Sequence, residues 1–280
     1  MEQGEELTMQ QDGRDEDRQG QTPSMAEGPG QAAKGAPEIH QRRRKIVGCL
    51  LQVYVLQLLL FGLLAFFVHL HPILPLDVAI THSFQQNQAP WLRITMLVVS
   101  YPGSSFLLPA LLLLTVVAFW ALGDRLEAMF AAGLSACSLL LNLLLKVQVS
   151  RPRPTSSLVH IIQTAVGYSF PSGHVMAYIA YWGLLFAFGV ILFQGKHWWR
   201  TALLIISAAF VVLIGFSRVY LGDHWASDVI GAYLIGETLL GFAVGLYLPL
   251  KERGVLETPG ARARMQKKKA LRSFPTKGWF

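Results

Sequence analysis

The stretch SRVYLGDHWASD, residues 217–228, lies between two long apolar runs and carries an arginine, a histidine and two aspartates. This density of charge stands out in a chain of which only 15% of residues are charged. If a helix begins near Asp223, His224 and Asp228 are four residues apart and share one helix face. A carboxylate in that place can hold an imidazole in one tautomer and stabilise its cation. The stretch therefore predicts an activated histidine at the end of an apolar helix.

On both sides of this stretch the chain has the composition of a membrane protein. Hydrophobic residues make up 52% of it, and its charged share is well below the roughly 25% of a soluble domain. Between residues 46 and 250 the acidic residues are few: Asp77, Asp124, Glu127, Asp223, Asp228 and Glu237. The rest of that region is dominated by long runs of Leu, Val, Ala and Phe. Because lipid offers no partner to unpaired backbone groups, an open-ended span must be helical. We therefore expect an all-α, polytopic integral membrane protein.

Six apolar segments have about the ~20 residues that a bilayer requires. They are residues 46–69, 104–122, 126–147, 174–194, 200–216 and 227–250, which together form a six-helix domain over 46–250. Residues 70–103 are left as a loop, of which 91–99 could lie along the membrane surface.

The two ends of the chain differ in charge. Residues 1–45 are polar, nearly lack large apolar side chains until residue 46 and predict a disordered N-terminal tail. Residues 251–280 form a basic tail. The net charge of the chain is +7. Its basic residues lie beside apolar spans, so contact with a membrane explains the charge better than a nucleic-acid partner does. Cys49 and Cys137 both fall in apolar runs and indicate no disulfide framework.

Flanking charge sets the expected orientation in a cell membrane. The basic run over residues 42–45 places the N-terminus in the cytoplasm, and six spans return the basic C-terminal tail to the same side. The end of the third span, the start of the fourth, the end of the fifth and the start of the sixth then meet at the outer face. These four places carry the unusual polar residues, so we expect the site there.

Three polar clusters fall at these places: residues 146–154, 170–174 and 217–228. Each alone has a structural reading, as a snorkelling lysine with interfacial arginines, a helix cap, and a polar loop. Together they supply two histidines, several cations, a hydroxyl and a carboxylate behind one histidine. Cations and backbone N–H groups that converge in this way favour a phosphate ligand.

The three clusters resemble the signatures of the type 2 phosphatidic acid phosphatase superfamily of membrane lipid phosphate phosphatases. Those signatures are Lys-x6-Arg-Pro, Pro-Ser-Gly-His and Ser-Arg-x5-His-x3-Asp. This chain has them at residues 146–154, 171–174 and 217–228, in the family's order and spacing. The resemblance leaves both tails unaccounted for.

The resemblance implies a role for each signature residue. His224 attacks phosphorus and forms a phosphohistidine, Asp228 orients its imidazole, and His174 protonates the leaving oxygen. The phosphate-binding residues that it implies are Lys146, Arg153, Ser172, Gly173 and Arg218. It implies no metal and no cofactor, because the cations already neutralise the phosphate.

Other polar residues stay outside the predicted site. Arg151 is an extra cation beyond the signature, and Asp223 is expected to point away from the site if Asp228 is the partner of the histidine. Glu237, deep in the last span, favours a packing role over a functional one. Asn142 is interpreted as an interhelical hydrogen-bonding residue and His160 as a loop residue.

The favoured function is hydrolysis of a phosphate or diphosphate ester of a lipid at the outer face. The resemblance leaves the lipid open among isoprenoid diphosphate, phosphatidylglycerol phosphate and phosphatidic acid, with a leaning to undecaprenyl diphosphate. Two alternatives remain: a lipid phosphotransferase with the same phosphohistidine, and a non-catalytic binder of lipid phosphates. The expected partners are the lipid substrate and the bilayer, and the oligomeric state stays open.

Overall fold

The computed structural model describes residues 30–193 and 195–260, and every regular element in this part of the chain is a helix. In chain order these are α1 (Gly30–Leu70), α2 (Pro75–Gln85), α3 (Pro90–Ser104), α4 (Leu107–Ala121), α5 (Arg125–Val149), α6 (Gly173–Tyr178), a π-helix (Ile179–Gly183), α7 (Leu184–Ile191), α8 (Trp198–Tyr220) and α9 (Ala226–Glu252). The all-α prediction is confirmed.

Five helical segments are long and apolar enough to cross a membrane. They are Val47–Leu70, Arg125–Val149, Gly173–Ile191, Trp198–Tyr220 and Ala226–Glu252. A sixth crossing requires α3 and α4 together, which are bent by 57°. With its 15 residues, α4 alone is shorter than the ~20 that a bilayer requires. The predicted six spans are therefore reached when the bent pair counts as one.

The predicted loop over residues 70–103 is wrong, because this region forms α2 and α3. Each begins with a proline in its first turn, a position that suits the fixed φ of proline. The buried face of α2 consists of Asp77, Thr81 and Gln85, spaced by four. Since this buried face is polar, a search for apolar periodicity does not find the helix.

The tail predictions are only partly open to comparison with the structure. The predicted disordered tail over residues 1–45 lies outside the described residues up to residue 29. From Gly30 the backbone is helical, so α1 begins well before the predicted start at residue 46. Good helix formers such as Ala32 and Ala33 precede the basic run. Of the predicted basic tail over 251–280, residues 261–280 lie outside the described part.

Helices α5, α6, α8 and α9 pack around one apolar core. Gly231 on α9 matters for the site, because a Cβ there would lie 2.5 Å from the Phe170 ring. Glycine thus allows the segment that ends in residues 170–174 to lie directly against α9. Large apolar side chains such as Leu63 and Leu113 remain exposed, as expected for surfaces that face lipid.

A buried ionic group ties α5 to α9 near the start of α5. Glu127 accepts a hydrogen bond from the Tyr247 hydroxyl at 2.7 Å and pairs with the Lys251 ammonium at 2.6 Å. Lys251 also pairs with Glu257 at 3.1 Å. We call Glu127, Tyr247, Lys251 and Glu257 the distal cluster, because α5 rises by ~1.5 Å per residue and places Glu127 far from Lys146 at its other end.

Candidate active site

The three polar clusters of the sequence meet at one end of the helix bundle. The loop after α5 connects them: the Lys146 ammonium donates to the Tyr168 carbonyl at 2.9 Å, and the Arg153 guanidinium donates to the Asp223 carbonyl at 2.8 Å. The Ser172 N–H donates to the Asp228 carbonyl at 3.2 Å, which joins the start of α6 to the start of α9. The structure thus brings every predicted site residue to the same region.

His224 and Asp228 form the centre of this region. The His224 Nδ1 lies 3.4 Å from the Asp228 Oδ2, and both residues are buried. The same oxygen accepts the Trp225 N–H at 2.9 Å and the Ser169 hydroxyl. These contacts hold the carboxylate against the proximal nitrogen of the imidazole. They favour the tautomer with its proton on Nδ1 and leave Nε2 as the basic nitrogen.

The protonation of His224 follows from its burial. Burial lowers the pKa of His224 to about 4, although the Asp228 carboxylate acts in the opposite direction. The imidazole is therefore neutral at pH 7. Its Nε2 lies 3.4 Å from the Arg153 Nη1, so the unprotonated nitrogen faces a cation that could also hold a phosphate.

The cations of the site differ in how many of their donors are occupied. Arg153 donates to the carbonyls of Gly167 and Asp223; burial lowers its pKa, yet a guanidinium stays protonated at neutral pH. Arg218 is fully buried, and only its Nη2 has partners, the Gln163 amide oxygen at 3.1 Å and the Asp223 carboxylate. Its Nε and Nη1 have none. Buried, unpartnered guanidinium donors are what a phosphate oxygen would satisfy.

Asp223 does not point away from the site, which corrects the expectation from sequence. Its Oδ2 pairs with Arg218, and its Oδ1 is buried without a hydrogen-bond partner. Burial raises the pKa of Asp223, while the neighbouring Arg218 and Arg153 act to lower it. The Asp223 carboxylate thus pairs with Arg218, a cation that a bound phosphate would also contact.

The start of α6 supplies a free hydroxyl and a close backbone approach. Ser172 occupies the N-cap position but makes no capping bond, and its hydroxyl is buried and unpartnered. A Cβ on Gly173 would lie 2.9 Å from the Asn142 amide oxygen. Asn142 also donates to the Pro171 carbonyl at 3.1 Å. The interhelical role of Asn142 therefore includes holding the loop that carries Ser172.

His174 faces the bend between α3 and α4. Its Nε2 lies 2.9 Å from the Ser104 hydroxyl, and the Gln163 amide nitrogen donates to the same hydroxyl at 3.1 Å. Gly103 lies so close that a Cβ there would fall 2.5 Å from the His174 ring. Sequence patterning did not identify Gly103 and Ser104 as neighbours of His174, because they lie at the boundary of a predicted loop.

Two further residues border the site: Arg151, which the sequence analysis left outside it, and Asp77, to which it gave no role. Arg151 donates to the Asp228 Oδ1 at 2.6 Å and to the Asp77 Oδ2 at 2.7 Å, and all three side chains are buried. Each nitrogen of the Arg151 guanidinium donates to a protein group. A buried aspartate in a region taken for a loop could have been found only by assigning α2.

Glu237 and His160, which the sequence analysis left outside the site, make contacts with other parts of the protein. Glu237 accepts a hydrogen bond from the Gln57 amide at 3.2 Å, in line with the packing role. His160 lies in a loop, where its backbone pairs with the Gln85 side chain. Within residues 30–193 and 195–260, no group of three or more His, Cys, Asp or Glu side chains is arranged to hold a metal ion.

Comparison with known proteins gives consistent matches. Residues 126–251 match the family model described as PAP2 superfamily. Phosphatidylglycerophosphatase B of Bacillus subtilis is 34% identical over 66% of this chain and 90% of its own length. Undecaprenyl-diphosphatase BcrC of the same organism is 28% identical over 48% of this chain and 64% of its own.

A solved structure gives the same result. The crystal structure described as the first transmembrane PAP2 type phosphatidylglycerolphosphate phosphatase, from Bacillus subtilis, superposes with a TM-score of 0.60 at 28% identity. The alignment covers 69% of this chain and 94% of that one.

The helical bundle, its site and these relatives together define a multi-pass membrane enzyme of the phosphoric ester hydrolase class. More particularly, the chain belongs to the PAP2 superfamily of membrane lipid phosphatases. The family indicated by the three sequence signatures is confirmed.

Proposed function

We propose that this protein removes a phosphate from a lipid phosphate or diphosphate ester through a phosphohistidine, without a metal ion, at the outer face of the cell membrane. One observation carries the proposal. Asp228 lies against Nδ1 of the neutral His224, and the unprotonated Nε2 faces the Arg153 guanidinium. The neighbouring Arg218 has two guanidinium nitrogens without a partner. Such a site offers a nucleophile and a place for the oxygens of a phosphate.

The proposed reaction has two steps. In the first, the His224 Nε2 bonds to phosphorus and the bond between phosphorus and the lipid oxygen breaks. His174, which enters this step as the imidazolium, gives that oxygen its proton and becomes neutral. In the second, water attacks the phosphohistidine, gives a proton to His174 and releases inorganic phosphate with neutral His224. Lys146, Arg153 and Arg218 would stabilise the charge on the phosphate oxygens in both steps, with the Ser172 hydroxyl and the Gly173 N–H as further donors.

The relatives narrow the class of substrate. Their names include phosphatidylglycerophosphatase and undecaprenyl-diphosphatase, and both imply a terminal phosphate on a membrane lipid. The match over 90% of its length to phosphatidylglycerophosphatase B supports phosphatidylglycerol phosphate at least as well as the isoprenoid diphosphate favoured from sequence. Both substrates therefore belong in the first assay.

The test is phosphate release by the purified protein in detergent with EDTA present. The substrates are phosphatidylglycerol phosphate, undecaprenyl diphosphate, phosphatidic acid and a soluble phosphate ester. We expect release from at least one lipid, and a loss of about 10⁴-fold or more in His224→Ala, as for removal of a catalytic nucleophile. His160→Ala is the matched control and should keep the wild-type rate.

Release that EDTA abolishes would contradict the metal-free reaction, and an active His224→Ala would contradict the phosphohistidine. Trapping of ³²P on wild-type protein, but not on His224→Ala, would identify the intermediate directly. Accessibility of single cysteines introduced near residue 165 and near residue 196 would test the orientation, since only the former should react from outside.

A second candidate function rests on a cavity of about 270 Å³ beside the site. Arg153, Asp223, Gln163, Thr164 and Ser156 contribute to its lining. A small alcohol in this cavity could accept the phosphoryl group from His224 in place of water, which would make the enzyme a phosphotransferase. Addition of glycerol to the same assay distinguishes the two, because transfer would yield glycerol phosphate while lipid consumption exceeds phosphate release.

A further inference from the structure

Arg151 uses its whole guanidinium on protein groups. Nε donates to the Pro72 carbonyl at 2.8 Å, Nη2 to the Asp77 Oδ2 at 2.7 Å, and Nη1 to the Asp228 Oδ1 at 2.6 Å and the Ser227 hydroxyl at 2.7 Å. No nitrogen of this guanidinium remains without a protein partner. Arg151 therefore differs from Arg218, and its contacts are those of a residue that holds other groups in place.

Asp77 brings α2 into the same arrangement. Its Oδ1 accepts the Ser227 N–H at 2.9 Å, and its Oδ2 accepts the Ser227 hydroxyl at 2.5 Å. These bonds satisfy a free N–H in the first turn of α9, where a carboxylate is also favoured by the helix dipole. Asp77 thus acts on Asp228 by two routes, one through Arg151 and one through the backbone of the adjacent Ser227.

The two carboxylate oxygens of Asp228 therefore have different partners. Oδ1 is held by Arg151, while Oδ2 receives Trp225, Ser169 and the His224 imidazole. A carboxylate fixed at one oxygen cannot rotate about its final bond without breaking that ion pair. The backbone of Arg151 contributes again, because its carbonyl accepts the Ser169 N–H at 2.8 Å.

We propose that Asp77 and Arg151 are positioning residues of the active site: through them, α2 and the loop after α5 hold the Asp228 carboxylate in the orientation that aligns His224. Neither residue touches the phosphate. The inference rests on the proposed function, in which the aligned Nε2 attacks phosphorus. It adds a buried chain from Asp77 through Arg151 and Asp228 to His224.

The test is a double-mutant cycle on phosphate release with Asp77→Asn and Asp228→Asn. Asp77→Asn should lower kcat by about 10- to 100-fold, the usual range for residues that orient a functional group, with KM changed by less than about threefold. In the Asp228→Asn background the same change should lower kcat by less than about twofold, because the orientation is already lost. Losses that simply multiply would overturn the proposal.

Arg151→Lys provides a second variant that retains the positive charge. One ammonium cannot reproduce the planar fork that contacts Asp77, Asp228 and the Pro72 carbonyl together. We expect kcat to fall as in Asp77→Asn, and a wild-type kcat would overturn the proposal. Glu127→Gln in the distal cluster is the matched control, since it removes one partner of another buried ion pair. If it lowers kcat as much as Asp77→Asn does, the effect is general destabilisation and the proposal fails.

Oxyanion binding separates this proposal from the proposed function. If the wild-type protein releases no phosphate from any ester, the proposed function is wrong. The positioning role can still be tested in that case, because calorimetry in detergent measures the affinity of the protein for oxyanions. Vanadate can bond to the His224 nitrogen, whereas sulfate needs only the cations. Asp77→Asn should weaken vanadate binding at least fivefold more than sulfate binding, and equal losses for the two anions would overturn the positioning.

Discussion

The two ends of the bundle both contain buried ionic groups, but only the active-site end leaves cationic donors without a partner. At the active site, four cations in the described residues meet three carboxylates: Lys146, Arg151, Arg153 and Arg218 with Asp77, Asp223 and Asp228. In the distal cluster, two carboxylates share one lysine. Both ends leave a carboxylate oxygen without a hydrogen bond, Asp223 Oδ1 and Glu127 Oε2. In these two groups, the unpartnered cationic donors are Nε and Nη1 of Arg218.

This difference separates a binding site from a structural contact. A buried donor without a partner loses free energy that an anion can restore, so the site end is prepared for a phosphate. The distal cluster holds α9 and the residues after it against α5, and its one ammonium, that of Lys251, already pairs with two carboxylates. In this protein the unpartnered cationic donors, rather than the presence of buried ion pairs, distinguish the end that can bind a phosphate.

Among the variants that test this difference between the two ends, Arg218→Lys should have the largest effect on activity, because it removes the unpartnered donors and keeps the charge. We expect kcat/KM for the lipid phosphate to fall by about 10²- to 10³-fold, because a lysine cannot reproduce the planar donor set. Steady-state phosphate release in detergent measures it.

Arg200→Lys is the matched control. Arg200, in the first turn of α8, donates to the Gly189 carbonyl on α7, at the opposite end of α8 from Arg218. It should keep kcat/KM within about twofold. Wild-type kinetics for Arg218→Lys would mean that its free donors do not contact the substrate.

Ser104→Ala should have a smaller effect, because it removes one hydrogen bond from His174. Without that hydroxyl the imidazole loses a partner that fixes its ring beside the site. We expect kcat to fall by about 10-fold, within the range of one hydrogen bond to a functional group. Ser105→Ala is the control, since Ser105 lies at the same bend but accepts the Leu107 N–H instead. Equal losses for the two serines would assign the effect to the bend itself.

The pH dependence of stability should follow from the burial of neutral His224. Its pKa is lowered to about 4 in the folded protein, against about 6.5 when unfolded. The unfolded chain therefore binds the proton first, so this contribution to stability is complete above pH 6.5 and is lost as the pH falls toward 4. The difference in thermal midpoint between wild type and His224→Gln should shrink, or turn against wild type, from pH 7 to 5. A difference that grows in favour of wild type would mean that folded His224 is a cation.

The sequence made much of this site predictable because spacing and apolar runs carry the information. Residues 217–228 place His224 and Asp228 one turn apart, and the membrane topology brings the ends of α5, α6, α8 and α9 together. The contribution of α2 could not be predicted, since its buried face is polar and its partner Arg151 is distant in sequence. The pairing of Asp223 with Arg218 depends on side-chain directions in a turn, which periodicity does not specify.

The distal cluster should show the smallest effect on activity together with a measurable effect on stability. Glu127→Gln removes the charge that pairs with Lys251, while its amide oxygen can still accept the Tyr247 hydroxyl. Loss of one partner leaves the ammonium, itself mostly buried, with Glu257 alone, and a broken buried pair costs about 3–5 kcal/mol when no other partner remains. We expect a lower thermal midpoint in detergent with kcat and KM within about twofold of wild type. A Glu127→Gln variant with reduced kcat and an unchanged midpoint would show that the two ends are coupled, which would remove the distinction between a binding site and a structural contact.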